Sequence, residues 1–285
     1  MNINIKKIQQ EKPIKELLEF SIINLDKPTG PTSFTVSQFV KHSLELRKTS
    51  HLGTLDPMVS GVLPVALNRA CRLNDYLMHR DKTYIGIMRL HSEISDKVLG
   101  EEIKRFIGKI TQLPPVRSRV KRAFREREIK KFEILERDGK DVLFLAEVQA
   151  GTYIRKLCDD VGKNLGGAHM LELRRIKAGI FEEKKIINLY DFESAVTDYK
   201  KGDEKKLREI LIPGEIISEI LPVVQANPAN LKQILTGKPL FKEDIAVKPK
   251  ELESPFALFL DQTFIGCYKI TNEGDIFARP EFILN

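Results

Sequence analysis

The sequence contains no long apolar run and only three cysteines, Cys71, Cys158 and Cys267. No segment reaches the roughly 18 apolar residues of a membrane-spanning helix. Residues 1–20 also lack an apolar stretch followed by a small-residue cleavage site. The cysteines lie far apart and outside any CxxC motif, and the five histidines are scattered. We therefore expect a cytoplasmic protein with reduced thiols, no membrane segment and no structural zinc site.

Charge of one sign does not dominate the chain, whose formal net charge is +7 over 285 residues. Hydrophobic residues make up 42% and charged residues 31%, which fits a globular protein with a proper core. The length allows one large domain and a second, smaller one.

Positive charge is concentrated in one segment, residues 117–131, which reads RSRVKRAFREREIKK. It holds eight Lys or Arg residues against two Glu. Clustered basic side chains neutralise a polyanion and give it salt-dependent affinity. A solvated protein surface would carry the same run, so at this point both interpretations stay open.

Hydrophobic periodicity predicts a mixed α/β body. The predicted strands cover residues 21–25, 62–67 and 83–91, followed by a hairpin of 130–135 and 141–149 joined by RDGK. The predicted helices cover 34–46, 68–77 with Asn68 as its cap, 95–108 and a segment opening at 151–152 with apolar residues through 165.

From about Leu221 the pattern changes to short β-like runs, PFALFL, TFIGCYKI and IFARPEFIL, separated by DQ and NEGD turn signals. The charged stretch 198–209 before them predicts an exposed helix or linker. A small β domain following a larger α/β body is the most economical prediction.

The stretch HLGTLDPMVSG at residues 51–61 places Asp56 between a leucine and a proline, with Gly53 and Gly61 on either side. Proline keeps the preceding residue extended, and the glycines permit turns that side chains would forbid. This pattern predicts a loop that holds one carboxylate out at a fixed angle. An ordinary turn whose Asp bonds its own backbone is the alternative.

Three further residues bear on Asp56. Tyr84 in DKTYIG opens a predicted strand, where a half-buried structural role is common. Arg155 in AGTYIRKL lies in the first turn of a helix, where a cation opposes the dipole. It could pair with Asp159 one turn later or with a distant carboxylate or phosphate. Lys27 in LDKPTG is a lysine of a Pro/Gly loop, a type that is usually solvated.

These segments together resemble one family. GTLDPMVSGVL, DKTYIG and AGTYIRKL, with LDKPTGPTS before and GAHMLELRRIKAGIF after, are similar to the TruB-type pseudouridine synthases. TQLPPVRSRVKRAFREREI and KDVLFLAEVQAGTYIRKL resemble the archaeal dyskerin-like branch, the catalytic subunit of RNA-guided pseudouridylation particles. The resemblance spans roughly residues 12–185, and LPVVQANPANLKQILTGKPL resembles the start of a PUA domain.

The resemblance implies an α+β fold. A catalytic domain at 21–212, with a central mixed or antiparallel sheet flanked by helices, would precede a small β-barrel PUA domain at 213–285 that binds RNA. An N-terminal arm at 1–20 would pack on that domain.

The resemblance also implies residue roles. Asp56 matches the catalytic aspartate, Tyr84 the tyrosine that stacks on the flipped uracil, and Arg155 the arginine that pairs with the aspartate. Tyr153, Lys27 and His51 match positions near the active site and the RNA. The predicted RNA-contacting residues of the basic segment are Arg117, Arg119, Lys121, Arg122 and Arg125. No cofactor or metal is expected, because breaking and remaking a glycosidic bond involves no redox change. Whether Asp56 attacks the nucleotide or removes a ribose proton stays open.

Two RNA substrates fit the resemblance. Stand-alone members recognise the tRNA T-loop, whereas the short arginine-rich link at 116–126 resembles the guide-dependent branch. That branch implies action on rRNA and also, without a guide, on the tRNA T-loop uridine. That branch implies box H/ACA guide RNA and three proteins as partners: a Nop-type zinc-bearing peptide, a Gar-type β-barrel protein and a kink-turn-binding ribosomal-like protein. A catalytically silent RNA-binding scaffold would not need Asp56, Tyr84 and Arg155 together. A carboxylate-dependent hydrolase would need a second acidic residue near the first.

Overall fold

The computed structural model describes residues 2–114, 121–246 and 252–285, which form two β-sheets with flanking helices. The strands of the first sheet are β1 (Ser21–Lys27), β2 (Thr49–His51), β3 (Ser60–Leu67), β4 (Lys82–Leu90), β5 (Gly108–Gln112), β6 (Arg125–Asp138), β7 (Asp141–Val148), β8 (Ala168–Ala178), β9 (Phe181–Glu182) and β10 (Ile212–Pro213). The strands of the second are β11 (Val223–Gln225), β12 (Leu240–Phe241), β13 (Phe256–Leu260), β14 (Thr263–Glu273) and β15 (Ile276–Ile283).

The helices are α1 (Ile5–Glu11), α2 (Ile14–Glu19), α3 (Ser33–Ser43), α4 (Asn74–Met78), α5 (Asp96–Arg105), α6 (Ile154–Gly162), α7 (Leu189–Lys200), α8 (Lys205–Ile210) and α9 (Leu231–Leu235). Helices α1 to α8 precede the last strand of the first sheet, and α9 lies between β11 and β12 of the second. Short 3₁₀ turns cover Asn68–Leu73, Glu183–Lys185, Gly214–Glu219, Pro228–Asn230 and Lys242–Asp244. None of the helices in the described ranges is long and apolar enough to cross a membrane.

The first sheet is mixed, with the strand order β10-β1-β3-β8-β4-β7-β6-β5. Strands β3 and β8 pair in parallel, while β4 pairs antiparallel with both β8 and β7. Strand β7 alternates strictly between buried and partly exposed residues, because one face covers the core and the other faces outward. Strand β3 is buried along almost its whole length and lies between β1 and β8. This architecture confirms the predicted α+β fold with a central mixed sheet.

Helix α6 packs its apolar stripe on the sheet. Leu157, Cys158 and Val161 are buried, and they follow the helical spacing that the sequence predicted. The hairpin of β6 and β7 and the C-terminal strands β13 to β15 also lie where the sequence predicted strands. The charged stretch 198–209 contains the end of α7 and most of α8.

A second apolar cluster joins the two sheets. Phe20, at the start of the first sheet, stacks on Phe264 of β14 with ring centroids 5.2 Å apart. Ile3 is buried in the same cluster, and the adjacent Asn4 backbone N–H donates to the Gln262 side chain at 2.7 Å. Residues from both ends of the chain therefore pack together, while the predicted boundaries 1–20, 21–212 and 213–285 stay a prediction.

The sequence predicted that Asn68 caps a helix, and this prediction is wrong. Its backbone has a positive φ of 43°, and its side-chain oxygen accepts from the backbone N–H groups of Arg47 and Lys48 instead. The segment after it is a 3₁₀ turn followed by the short helix α4, not one continuous helix. The asparagine thus closes a turn against a distant loop, a contact that local sequence does not encode.

Candidate active site

Asp56 lies on the loop between β2 and β3, and its neighbours anchor that loop. Leu55 and Val59 are buried, and the Val59 N–H donates to the Asp56 carbonyl at 3.0 Å. The Asp56 side chain is 53% exposed. Two buried apolar residues therefore fix the loop while the carboxylate between them points to solvent, as the sequence predicted.

The segment that follows β1 holds this loop through its backbone. Ser33 Oγ accepts from the Leu55 N–H at 2.8 Å and is 3.1 Å from the Leu55 carbonyl, to which it can donate. The Gly30 N–H donates to the Pro57 carbonyl at 2.8 Å. Residues on both sides of Asp56 are thus bonded to one neighbouring segment, which limits the freedom of the carboxylate.

Lys27, the last residue of β1, is fully buried beneath the loop. Its ammonium donates to the carbonyls of Pro28 at 2.7 Å and Pro57 at 3.2 Å. Burial lowers the pKa of Lys27, the Asp56 carboxylate opposes that change, and Arg175 adds to it. Lys27 is therefore not an ordinary solvated lysine. It is buried, and it interacts electrostatically with the Asp56 carboxylate.

Arg155 forms an ion pair with Asp56. It is the second residue of α6, and its Nη2 donates to Asp56 Oδ2 and lies 3.6 Å from the Met58 sulfur. The guanidinium is 46% exposed, so the pair is open to solvent. The cation in the first helical turn therefore has a carboxylate partner distant in sequence rather than Asp159.

Tyr84 lies on β4, and Tyr153 immediately precedes α6, the helix that carries Arg155. Tyr84 on β4 is 8% exposed and is the Cα partner of Arg175 in the β4–β8 ladder. Tyr153 precedes α6, and its backbone is bracketed by the Gln112 side chain, which accepts from its N–H at 3.0 Å and donates to its carbonyl at 3.2 Å. The backbone of Tyr153 is therefore held by β5, and that of Tyr84 by the neighbouring strands of the sheet.

His51 ends β2, opposite Val65 of β3, and is partly buried. It lies five positions before Asp56, at the point where the chain leaves the sheet to enter the loop. The structure thus places it at the base of the loop that carries the carboxylate.

The basic segment reaches the same edge of the sheet. Arg125 begins β6 and lies opposite Gln112, the residue whose side chain brackets Tyr153. Lys121 and Arg122 are exposed. Arg117 and Arg119 lie outside the described residues. The described part of the basic segment therefore joins the sheet next to the start of α6.

Arg175 and Ser33 are site residues that the sequence did not single out. Arg175 on β8 is 1% exposed and donates to the Gly53 carbonyl of the Asp56 loop at 3.0 Å. Burial lowers the pKa of its guanidinium, and Tyr84 opposes that change. The burial of this arginine within an otherwise ordinary basic strand could not be read from the sequence.

Among the residues that the structure describes, no cluster of three or more His, Cys, Asp or Glu side chains could hold a metal ion. The side chains described around the Asp56 loop are one carboxylate, two tyrosines and several cations.

Two family models match consecutive segments of the chain. Residues 41–154 match the TruB family pseudouridylate synthase N-terminal domain, and residues 155–218 match the tRNA pseudouridylate synthase B C-terminal domain. The chain belongs to the TruB family of pseudouridine synthases. It is an RNA-modifying isomerase, and the family predicted from the sequence is confirmed.

Relatives extend this similarity over nearly the whole chain. A probable tRNA pseudouridine synthase B of Methanopyrus kandleri is 42% identical over 269 residues, covering 92% of this chain and 80% of the relative. The protein of the same name from Methanocaldococcus jannaschii is 44% identical over 238 residues, covering 83% of this chain and 71% of the relative.

Solved structures are similar over both sheets. A Cbf5-Nop10-Gar1 complex contains a chain with 37% identity and a TM-score of 0.86, covering 96% of this TruB protein and 88% of that chain. An H/ACA RNP bound to a substrate RNA containing 2'-deoxyuridine contains one with 34% identity and a TM-score of 0.85, covering 97% and 89%. The five-stranded C-terminal sheet is thus part of the shared fold, consistent with the predicted PUA domain.

Proposed function

We propose that this TruB protein is the catalytic subunit of an H/ACA guide RNP that isomerises target uridines in rRNA, with Asp56 as its catalytic residue. The observation that supports the catalytic assignment is the solvent-facing carboxylate on an anchored loop, paired with Arg155. Guide dependence is supported by the similarity to chains in a Cbf5-Nop10-Gar1 complex and an H/ACA RNP, and by the short link between β5 and β6.

The reaction breaks the bond between uracil N1 and ribose C1′, turns the base and joins C5 to C1′. The proton lost from C5 is balanced by one gained at N1, so no oxidant, reductant or further group is consumed. Asp56 either attacks the nucleotide or removes a ribose proton, and both routes need its carboxylate ionised. The Arg155 guanidinium pairs with that carboxylate.

The target base must leave its helical stack to reach Asp56, at a cost of a few kcal/mol. An aromatic face compensates for part of that cost, since stacking contributes about 1–3 kcal/mol per base. Tyr84 is the aromatic residue that we assign to this role. Lys27, His51 and Tyr153 line the same pocket in this proposal, and the basic segment with Arg117, Arg119, Lys121, Arg122 and Arg125 contacts RNA phosphates.

The partners in this proposal are box H/ACA guide RNA, a Nop-type zinc-bearing peptide and a Gar-type protein. The presence of Nop10 and Gar1 in a similar solved complex supports the two proteins. The third protein partner in this proposal is a kink-turn-binding ribosomal-like protein. Its assignment rests only on the family resemblance. The C-terminal unit would bind guide RNA, with the particle working in the cytoplasm.

A guide-independent tRNA pseudouridine synthase that acts on the T-loop is the second candidate. The names of the relatives from Methanopyrus kandleri and Methanocaldococcus jannaschii favour it. One enzyme could perform both reactions, because the carboxylate chemistry is the same and only the RNA that presents the uridine differs.

The test is to map pseudouridine in two substrates, a tRNA and a guide–target pair, with the protein alone and with its partners. We expect conversion of the guide–target pair only when guide and partners are present. Conversion of tRNA alone would assign the second function, and turnover of the guided target without guide would contradict guide dependence. Asp56→Asn should bind RNA normally and convert neither substrate, and near-normal turnover by this variant would refute the catalytic assignment.

A further inference from the structure

Gln112 is a buried polar residue at the edge of the first sheet. It ends β5, the outermost strand on that side, and it is the only buried residue of the strand. The residue is 2% exposed. Burying a side-chain amide is costly unless its donor and its acceptor are both hydrogen-bonded, so the partners of Gln112 decide what its burial achieves.

Both polar groups of the Gln112 side chain bind the backbone of a single residue, Tyr153. The Gln112 Oε1 accepts from the Tyr153 N–H at 3.0 Å, and the Nε2 donates to the Tyr153 carbonyl at 3.2 Å. The same carbonyl accepts the first hydrogen bond of α6, from the Leu157 N–H at 2.9 Å. Gln112 therefore holds the residue from which α6 begins.

Strand β6 holds the turn that leads into α6. The Gln149 N–H donates to the Glu128 carbonyl at 2.8 Å. Two residues later, a Cβ on Gly151 would lie 3.1 Å from Arg127 Nη2, so the guanidinium packs closely on this glycine. The segment before α6 is thus held by β6 at two points and by Gln112 at a third.

Arg155 is the second residue of α6 and depends on this anchor. Its side chain is 46% exposed and that of its partner Asp56 is 53% exposed, and exposed ion pairs contribute little free energy. The pair therefore cannot fix the first turn of α6 by itself. Hydrogen bonds between Ser33 and Leu55 hold the backbone beside Asp56, and Gln112 holds the backbone on the arginine side.

We propose that Gln112 is a positioning residue that fixes the start of α6 and so places Arg155 against the Asp56 carboxylate during the reaction. The inference rests on the proposed function of Asp56. A side-chain amide suits this role because it offers a donor for the Tyr153 carbonyl and an acceptor for the Tyr153 N–H. Precise placement matters, since a displacement of about 1 Å can slow an enzyme about a hundredfold.

The test is a double-mutant cycle of Gln112→Met and Arg155→Lys, read as the single-turnover rate at saturating RNA with the Kd measured separately. We expect Gln112→Met to lower the rate about tenfold or more with little change in Kd. Arg155→Lys keeps the charge but loses the planar guanidinium. In that background Gln112→Met should cost much less, because the group that Gln112 positions is already absent.

Gln225→Met is the matched control. The Gln225 side chain binds the backbone of Asp261 in the same manner, accepting from its N–H at 2.8 Å and donating to its carbonyl at 3.2 Å. Asp261 lies between β13 and β14 of the second sheet. Gln225→Met should therefore lower the free energy of unfolding without changing the single-turnover rate.

Should Gln112→Met fail to fold, Gln112→Glu keeps the size and the acceptor and loses only the donor to the Tyr153 carbonyl. We expect this variant to convert RNA more slowly than wild type, with a smaller loss in the Arg155→Lys background. Additive losses in the cycle, or equal slowing by Gln112→Met and Gln225→Met, would overturn the role of Gln112. An active Asp56→Asn variant would instead overturn the proposed function, so the two failures are distinguishable.

Discussion

Gly61 and Arg175 face each other in the β3–β8 ladder so closely that any side chain on Gly61 would collide with the Arg175 backbone. The contact makes the end of the Asp56 loop intolerant of substitution for a steric reason. The backbone conformation is a second reason, because Gly61 has a φ of +103°, a value that residues with a side chain rarely adopt.

Gly61→Ala and Gly30→Ala separate these two reasons. Gly30 has a nearly equal φ of +109°, but a Cβ there would meet nothing within 4 Å. Strain of this kind costs about 1–3 kcal/mol, so Gly30→Ala should lower the free energy of unfolding by that amount. Gly61→Ala should lower it further and reduce turnover, as denaturant titration and rate assays would measure. Equal losses at both positions would contradict the steric contact.

Ser33→Ala tests the clamp on the residue before Asp56. The substitution leaves the buried Leu55 N–H without its acceptor, which costs about 1–3 kcal/mol and should slow turnover by loosening the loop. Ser37→Ala is the control, because Ser37 is equally buried on the same helix but bonds Thr49. We expect a comparable loss of stability there with normal turnover, and equal effects on turnover would argue against a specific clamp.

The lowered pKa of Lys82 is expected to make the free energy of unfolding depend on pH. Burial lowers its pKa from 10.5 to about 8, Arg175 adds to that change, and Asp81 opposes it. Between these values the unfolded chain binds more protons at this residue, so the folded state gains stability as pH rises from about 8 toward 10.5.

The full interval corresponds to about 3 kcal/mol at 1.36 kcal/mol per pKa unit. Lys82→Met should remove this contribution, so the wild type should gain stability relative to the variant as pH rises from about 8 to 10. Parallel pH profiles of the two proteins would show that the pKa of Lys82 is not lowered.

Phe20 is expected to stabilise the packing between the two sheets. The side chain is 1% exposed and stacks on Phe264. Phe20→Ala should cost about 3–5 kcal/mol and should increase hydrogen exchange in β14 and β15 more than in β7. Phe144→Ala, in the core of the first sheet, should show the reverse order of exchange. A uniform increase over both sheets in the Phe20 variant would contradict a joining role.

The sequence predicted those parts of the fold that follow from periodicity and turn chemistry. Strand β4, helix α6 and the hairpin of β6 and β7 carry their apolar pattern in consecutive residues. The position of Arg155 at a helix start predicted a negative partner without identifying it. The family resemblance implied that this partner is Asp56, and the structure shows that ion pair.

The sequence could not predict contacts that depend on backbone groups from distant segments. The buried Lys27 ammonium donates hydrogen bonds to the Pro28 and Pro57 carbonyls. No residue type in the sequence indicates where these two carbonyl groups lie. Strand β5 also escaped prediction, because its alternating pattern is short and mostly polar and its stability comes from pairing with β6. Propensity gives way to tertiary context in such elements.

The contact between Asn4 and Gln262 spans 258 positions of the chain. Ribosomes extend proteins at about 5–20 residues per second, so roughly 13–50 s separate the synthesis of these two residues. Ile3 must remain without the cluster members from β13 to β15 during that interval, while the strands of the first sheet are already emerging. The seam between the two sheets can therefore close only near the end of translation, and nascent chains that stall before β14 should keep their first residues open to proteases.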